Sequence, residues 1–189
     1  MAQTQQAPAV KPGTTTWNID PAHSNAQFSV RHMMISNIRG EFTKVSGKAL
    51  FDKDNPSAGL SVEAAIDVNT INTREPDRDN HLKSPDFFDV AKYPTITFKS
   101  TGAENGPDGL KLRGNLTIHG TTREVTLDVE GPTPPTKDPW GNTRIGASAT
   151  TKINRKDFGL TWNQALETGG ILVGDDVKIT IDVELVAQA

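Results

Sequence analysis

The chain has 189 residues, no cysteine, a net charge of −3 and only 6 % aromatic residues. The length fits a single domain with a substantial core. The lack of cysteine excludes disulfide scaffolds, thiol catalysis and Cys-based metal sites, and the slightly acidic balance argues against nucleic acid, whose phosphates demand a concentrated positive field. Residues 1–15 have neither a basic n-region nor an apolar h-region. They are expected to form a disordered polar leader, not a signal peptide, ahead of a domain spanning 16–187. On that reading the chain stays in the cytoplasm; it is periplasmic if a signal has been removed. No run of about eighteen apolar residues occurs, so no transmembrane helix is expected.

Beyond the leader, apolar and polar residues alternate with period two from end to end. Thr16–Asp20 is a short strand candidate. Ala26, Phe28, Val30 and His32 then share one face. Glu41–Phe51 reads as another short strand, and Leu60, Val62, Ala64, Ile66 and Val68 alternate with polar neighbours. The stretch Asn72–Thr97 breaks this pattern. It sets Arg74, Asp77, Arg78, Asp79, His81 and Lys83 beside Leu82, Phe87, Phe88, Val90 and Tyr93. A charged and aromatic insertion in a regular β protein is expected to form the rim of a site, with a short helix near Asp77–Lys83.

Strand patterning resumes at Thr95–Thr101 and continues through Leu110, Leu112, Gly114, Leu116 and Ile118. After the turn His119-Gly120-Thr121, where His119 is expected to be exposed, come Val125, Leu127 and Val129, then a Pro-rich link, Gly131–Pro139. Ile145, Ala147, Ala149, Thr151 and Ile153 form a further face. A second short helix is expected near Arg155–Phe158, with Asn154 as a natural N-cap and Gly159 as a natural stop. Val177, Ile179, Ile181, Val183 and Leu185 close the series.

About eight strands with one apolar face each predict an all-β fold, a single antiparallel sheet curled into an eight-stranded barrel. Such a barrel is about 25 Å tall and just wide enough to fill with side chains or to hold one slender ligand. Ala26, Ala64, Gly114, Ala147 and Ala149 fall on the inward face, and small residues there favour a cavity. Bulky partners across the barrel are the alternative. No metal or cofactor is expected: the four histidines lack HxH or HExxH spacing, and Asp77, Asp79 and Asp86 lack a calcium-loop pattern. Ser24 beside His23 and Ser84 near His81 are sequence neighbours only, without a nucleophile elbow.

Four ordered blocks resemble the YceI-like, polyisoprenoid-binding family. They are Trp17–Ser24 with Phe28–His32; Arg78–Val90 with Tyr93, Pro94 and Phe98; Gly114–Thr122; and Ile153–Leu160 with Trp162, Asn163, Gly169, Gly170 and Val173–Asp175. The resemblance implies an antiparallel barrel of the extended lipocalin-like type, often a homodimer. It also implies a long amphiphile in the bore: a polyisoprenoid, such as an isoprenoid quinone or a polyprenyl phosphate, or a fatty-acid-like lipid.

The site is accordingly expected to have two parts. Arg78, His81, Arg155 and Asp79 are candidates for the ligand's head group, Arg78 through its planar fork and His81 as a second donor. For Arg78 and Asp79 the competing reading is a structural ion pair that packs the insertion on the barrel. Strand parity places Phe28, Val30, His32, Val62, Ile66, Phe98, Leu112, Leu116, Ala147 and Ala149 along the tail, with Trp162 flanking it. For His32 and Trp162 a packing role competes. The function expected is a non-catalytic lipid carrier. The alternative is an enzyme acting on an isoprenoid quinone or another small hydrophobic substrate, with Asp79, His81 or His32 as acid and base.

Overall fold

The computed structural model describes residues 13–52 and 54–188. Twelve strands appear: β1 (Thr14–Ile19), β2 (Asn25–His32), β3 (Ser36–Phe42), β4 (Val45–Asp52), β5 (Ser61–Asp67), β6 (Ile71–Asn72), β7 (Thr95–Gly106), β8 (Gly109–Ile118), β9 (Thr121–Glu130), β10 (Thr136–Lys137), β11 (Thr143–Asn154) and β12 (Val173–Ala187). One α-helix, α1 (Pro76–Lys83), lies in the insertion, and 3-10 turns cover Pro21–His23, Val68–Thr70 and Arg155–Phe158.

Eight strands close into an antiparallel barrel, in the order β11, β9, β8, β7, β5, β4, β1, β12, with β12 returning to β11. β12 is the longest strand, at 15 residues. One edge pairs with β11 from Arg144↔Val186 to Asn154↔Asp176. The other edge takes β2 over Val177↔Val30 to Asp182↔Asn25 and β1 over Ile19↔Leu185 to Trp17↔Ala187. Beyond the Pro21–His23 turn the wall therefore forks: β2, β3 and β6 leave it as a flap, while β4 follows β1 round the barrel.

The insertion fills that fork. Its Phe88 meets Phe42 of β3 edge-on with ring centroids 5.8 Å apart, and Val68, in the turn just before the insertion, is 1 % exposed. α1 is polar on every side but for Leu82, so no buried face defines it. Its first turn has Pro76, which suits a helix start, and the acids Asp77 and Asp79; its last turn has His81 and Lys83. These charges oppose the helix dipole at both ends.

Three expectations change. Glu41–Phe51 is not one strand; it breaks at Thr43-Lys44, where the chain passes from the flap (β3) to the barrel (β4), and β3 begins earlier, at Ser36. Within the span 1–15 expected as a leader, Thr14 and Thr15 belong to β1 and pair with Asp52 and Phe51; residues 1–12 lie outside the described residues. His119, expected to be exposed in its hairpin, is half-buried against Tyr93 at 4.8 Å. Among the described residues, no helix is long and apolar enough to cross a membrane.

Candidate functional site

A cavity of about 280 Å³ runs inside the barrel. All eight barrel strands contribute to its wall, for example Ile19, Ala49, Val62, Phe98, Leu112, Leu127, Ala147 and Ile181. Among the described residues, the polar lining is confined to Gln27, Ser148, Thr151 and Arg155. The volume is near the lower end of ligand pockets, about 300 Å³ and upward. An apolar void of this kind holds water poorly. Each methylene that enters it contributes about 0.8 kcal/mol.

Burial along β12 shows the same emptiness. Val177, Ile179, Ile181 and Val183 line the cavity, yet each is only half-buried, whereas Leu185 is 5 % exposed. An inward side chain in a closed barrel keeps accessible surface only where it faces unfilled space. Ala26, Ala64, Ala147 and Ala149 line the cavity as strand parity predicts. Gly114 is different. A Cβ there would collide with the ring of Phe98, so this glycine leaves no void; it makes room for an aromatic ring. Gly40 does the same for Phe28.

The insertion supplies one end of the cavity through Leu82, Phe87 and Phe88. Its charged residues are engaged elsewhere. Arg78 donates from Nε to Thr73 Oγ1 (2.8 Å) and from a terminal nitrogen to the Thr73 carbonyl (2.7 Å). Asp79 accepts from the Thr73 backbone N–H (2.8 Å) and from its hydroxyl (2.5 Å). Both side chains thus clamp buried Thr73 and fasten a polar helix that has no apolar face of its own. His81 Nε2 pairs with Asp86 at 2.8 Å, and its ring packs edge-on against Phe87 (5.1 Å) and Trp162 (4.8 Å). His81 and Trp162 stand outside the cavity wall, as do Arg78 and Asp79.

Arg155 does line the cavity, but as a clamp. It is 4 % exposed and donates to the carbonyls of Leu160 (2.6 Å), Gly174 (2.9 Å), Trp162 (2.9 Å) and Val173 (3.4 Å). Burial lowers its affinity for its proton from the usual arginine level. Its partners hold the segment entering β12, where the register with β2 slips between Val173 and Val177. His32 lies opposite Val173 at the end of β2 and is not on the cavity wall. Of the residues expected at the head group, Arg78, Asp79 and His81 stand off the cavity wall and Arg155 donates to backbone carbonyls; His32, expected along the tail, is one residue pair past the last lining position of β2, Val30.

Sequence reasoning did not find two features. Phe42, Val45, Phe51, Pro56 and Pro132 also line the cavity; parity along β4 is the signal that identifies Val45 and Phe51. The second feature is an ionic cluster on the outer wall. Arg144 donates to Asp20 (2.7 Å), Asp138 (2.7 Å) and Glu184 (2.6 Å), and His23 pairs with Asp20 at 2.9 Å. Hydrogen bonds from Arg144 and His23 hold the Asp20 carboxyl at about 2, and Arg144 pushes Asp138 well below the usual carboxylate range. Asp20, His23 and Glu184 lie close enough to share a cation. The Arg144 guanidinium already bonds both carboxylates, so the cluster is an ion-pair junction between the β1–β2 turn, the β10–β11 turn and β12.

The sequence profile of the YceI-like domain matches residues 17–185. The chain belongs to the YceI-like family. It is 38 % identical over 171 residues to a UPF0312 protein of Staphylococcus aureus strain N315, covering 90 % of this chain and 96 % of that one. The crystal structure of a Campylobacter jejuni YCEI protein is similar at 33 % identity with a TM-score of 0.68, over 84 % of this chain and 90 % of that chain. A polyisoprenoid binding domain from Saccharophagus degradans shares the fold at 17 % identity and a TM-score of 0.66, over 91 % of this chain and 98 % of its own.

Proposed function

We propose that this YceI-like protein binds a long, slender, uncharged lipid of the isoprenoid class in its barrel, and acts as a carrier and not as a catalyst. The observation that carries this reading is the cavity itself: about 280 Å³ enclosed by apolar side chains from every barrel strand. The described function of the Saccharophagus degradans fold neighbour, polyisoprenoid binding, points the same way. Branched methyl groups suit a wall of unequal side chains, where alanines on β5 and β11 alternate with larger neighbours such as Ile66 and Ile153.

The part of the ligand inside the bore is neutral. Among the described residues, Arg155 is the one charged residue of the wall, and its guanidinium donates to four carbonyls. A phosphate drawn into this space would lose its water and meet an Arg155 guanidinium already shared among carbonyls, at a cost of several kcal/mol. A quinone or alcohol head fits the lining better than a polyprenyl phosphate. The catalytic alternative gains no support: Asp79, His81 and His32, the acid–base candidates, all lie off the cavity wall. Extraction of the purified protein with organic solvent, followed by identification of the released molecule, tests the reading. A neutral isoprenoid is expected; a charged small metabolite would overturn it.

A further inference from the structure

We propose that the turn joining β2 to β3 is a membrane-contact element: Met33, Met34 and Ile35 enter the surface of a lipid bilayer and hold this end of the barrel against the membrane from which the bore draws its ligand. The inference rests on the lipid-binding reading above and assigns the route by which the ligand arrives.

Four large apolar residues are exposed among the described residues: Met33 (40 %), Met34 (56 %), Ile35 (75 %) and Trp140 (81 %). A single exposed apolar side chain is ordinary on any protein surface, and Trp140 is such a case. Three in succession at a projecting turn form a patch, and patches mark contacts.

The backbone makes the choice of residues more telling. Ile35 N–H donates to the His32 carbonyl at 3.1 Å, closing a tight turn, and Met33 and Met34 both have positive φ, 51° and 60°. Turns of this sign favour Asn-Gly. Each non-glycine residue held there is strained, because its Cβ crowds the carbonyl oxygen that follows. A turn serving only to reverse the chain would be more stable, and better solvated, with Asn and Gly. Two methionines are worse on both counts, and what they add is flexible apolar reach.

The surroundings fit an interface between water and lipid. Arg31 donates to the Met34 carbonyl at 2.7 Å, which fixes a cation directly behind the apolar tip. Arg39 is exposed on the neighbouring strand. The nearby acids at the start of β12 are already engaged, Asp175 by Lys156 at 3.0 Å and Asp176 by Lys152 at 3.3 Å. Apolar side chains ahead of a cation suit the boundary between acyl chains and anionic head groups. The turn is also braced, since Met33 N–H donates to the Leu172 carbonyl at 2.8 Å. It stands beside the cavity: Val30 and Val173, which flank it on the paired strands, both belong to the wall. A second copy of the chain is a poorer occupant, because three partly exposed side chains on a convex tip fall well short of the about 800 Å² per partner of a stable interface.

The test is co-flotation of the purified protein with vesicles of phosphatidylcholine and phosphatidylglycerol, comparing wild type with M33N/M34G/I35S. Wild type is expected in the floated fraction. The variant is expected there at about one-tenth of the level or less, a factor that corresponds to about 1.4 kcal/mol. Its thermal midpoint is expected to equal or exceed that of wild type, because Asn-Gly suits the turn; should it unfold instead, Ile35→Ser alone repeats the comparison. Geranylgeraniol binding, measured in solution without vesicles, is expected to be the same in both proteins. Equal flotation of variant and wild type, no flotation of either, or self-association in sedimentation that the variant abolishes would each overturn the membrane contact. Failure of both proteins to bind geranylgeraniol, with flotation lost only in the variant, would sink the bore reading and leave the contact standing.

Discussion

The ring of Phe98 occupies the space that a side chain at position 114 would fill. Phe98 and Leu116 face each other across β7 and β8, and Gly114 follows on the same inward face. The glycine lets a full aromatic ring lie flat against the barrel wall, so the bore stays open beside it. A Cβ at 114 would also press on the Lys99 carbonyl at 2.7 Å, where backbone, not a side-chain tip, must give way. Gly114→Ala is therefore expected to lower stability by about 1–3 kcal/mol. Urea unfolding checks this, and an unchanged midpoint would show that the ring is not wedged.

Ala147 sits opposite Val183 on the paired strands β11 and β12, and both line the cavity. An indole here would extend into empty volume instead of into packed atoms. Ala147→Trp is expected to keep the barrel folded, as judged by circular dichroism, and to weaken isoprenoid binding at least about tenfold, the equivalent of roughly 1.4 kcal/mol or two displaced methylenes. Unchanged affinity would place the ligand elsewhere.

Arg155 holds four carbonyls of the segment that leads into β12. Arg155→Met takes this donor from the carbonyls of Leu160, Trp162 and Gly174, while Asn163 Nδ2 still serves Val173 at 2.7 Å, and the expected loss is about 2–4 kcal/mol in chemical denaturation. Arg155→Lys is expected to recover little, because one ammonium cannot reproduce the planar fork. Wild-type stability in either variant would contradict the clamp.

Acid should expose the outer ion-pair junction. The Asp20 carboxyl is lowered to about 2 from 3.8, chiefly by Arg144, and Asp138 is also depressed. A carboxylate lowered on folding contributes stability that is complete above its ordinary value and is lost as pH falls through the folded one. Thermal midpoints of wild type should therefore fall between about pH 4 and pH 2. Arg144→Gln removes the shared cation, so its deficit relative to wild type should be largest at neutral pH and close across that window. A deficit independent of pH would mean that Arg144 acts through packing alone.

Period-two patterning made the barrel legible because one-sided burial leaves a strong mark: every second residue from Val177 to Leu185 lines the cavity, as do Leu110, Leu112, Leu116 and Ile118. The same rule located Val62, Ile66, Phe98, Ala147 and Ala149 on the wall. It failed where local pattern does not determine the path of the chain. Glu41–Phe51 alternates well enough for one strand, yet long-range pairing splits it between flap and barrel. Gly114 looked like missing volume because sequence does not say which neighbour leans over it. The charged insertion looked like a head-group site because residue type reveals charge but not its partner; Thr73, which ties up both Arg78 and Asp79, carries no signal of its own. The Arg144 junction joins residues up to 164 positions apart along the chain (Asp20 to Glu184), a distance no motif spans.

Native mass spectrometry of the protein as purified addresses the central claim most directly. If the apolar bore holds a slender lipid, the intact barrel should carry an added mass of one neutral isoprenoid, and Ala147→Trp should lose it while remaining folded. Protein that stays at its bare mass after incubation with isoprenoid quinones and alcohols, in both forms, would contradict the account.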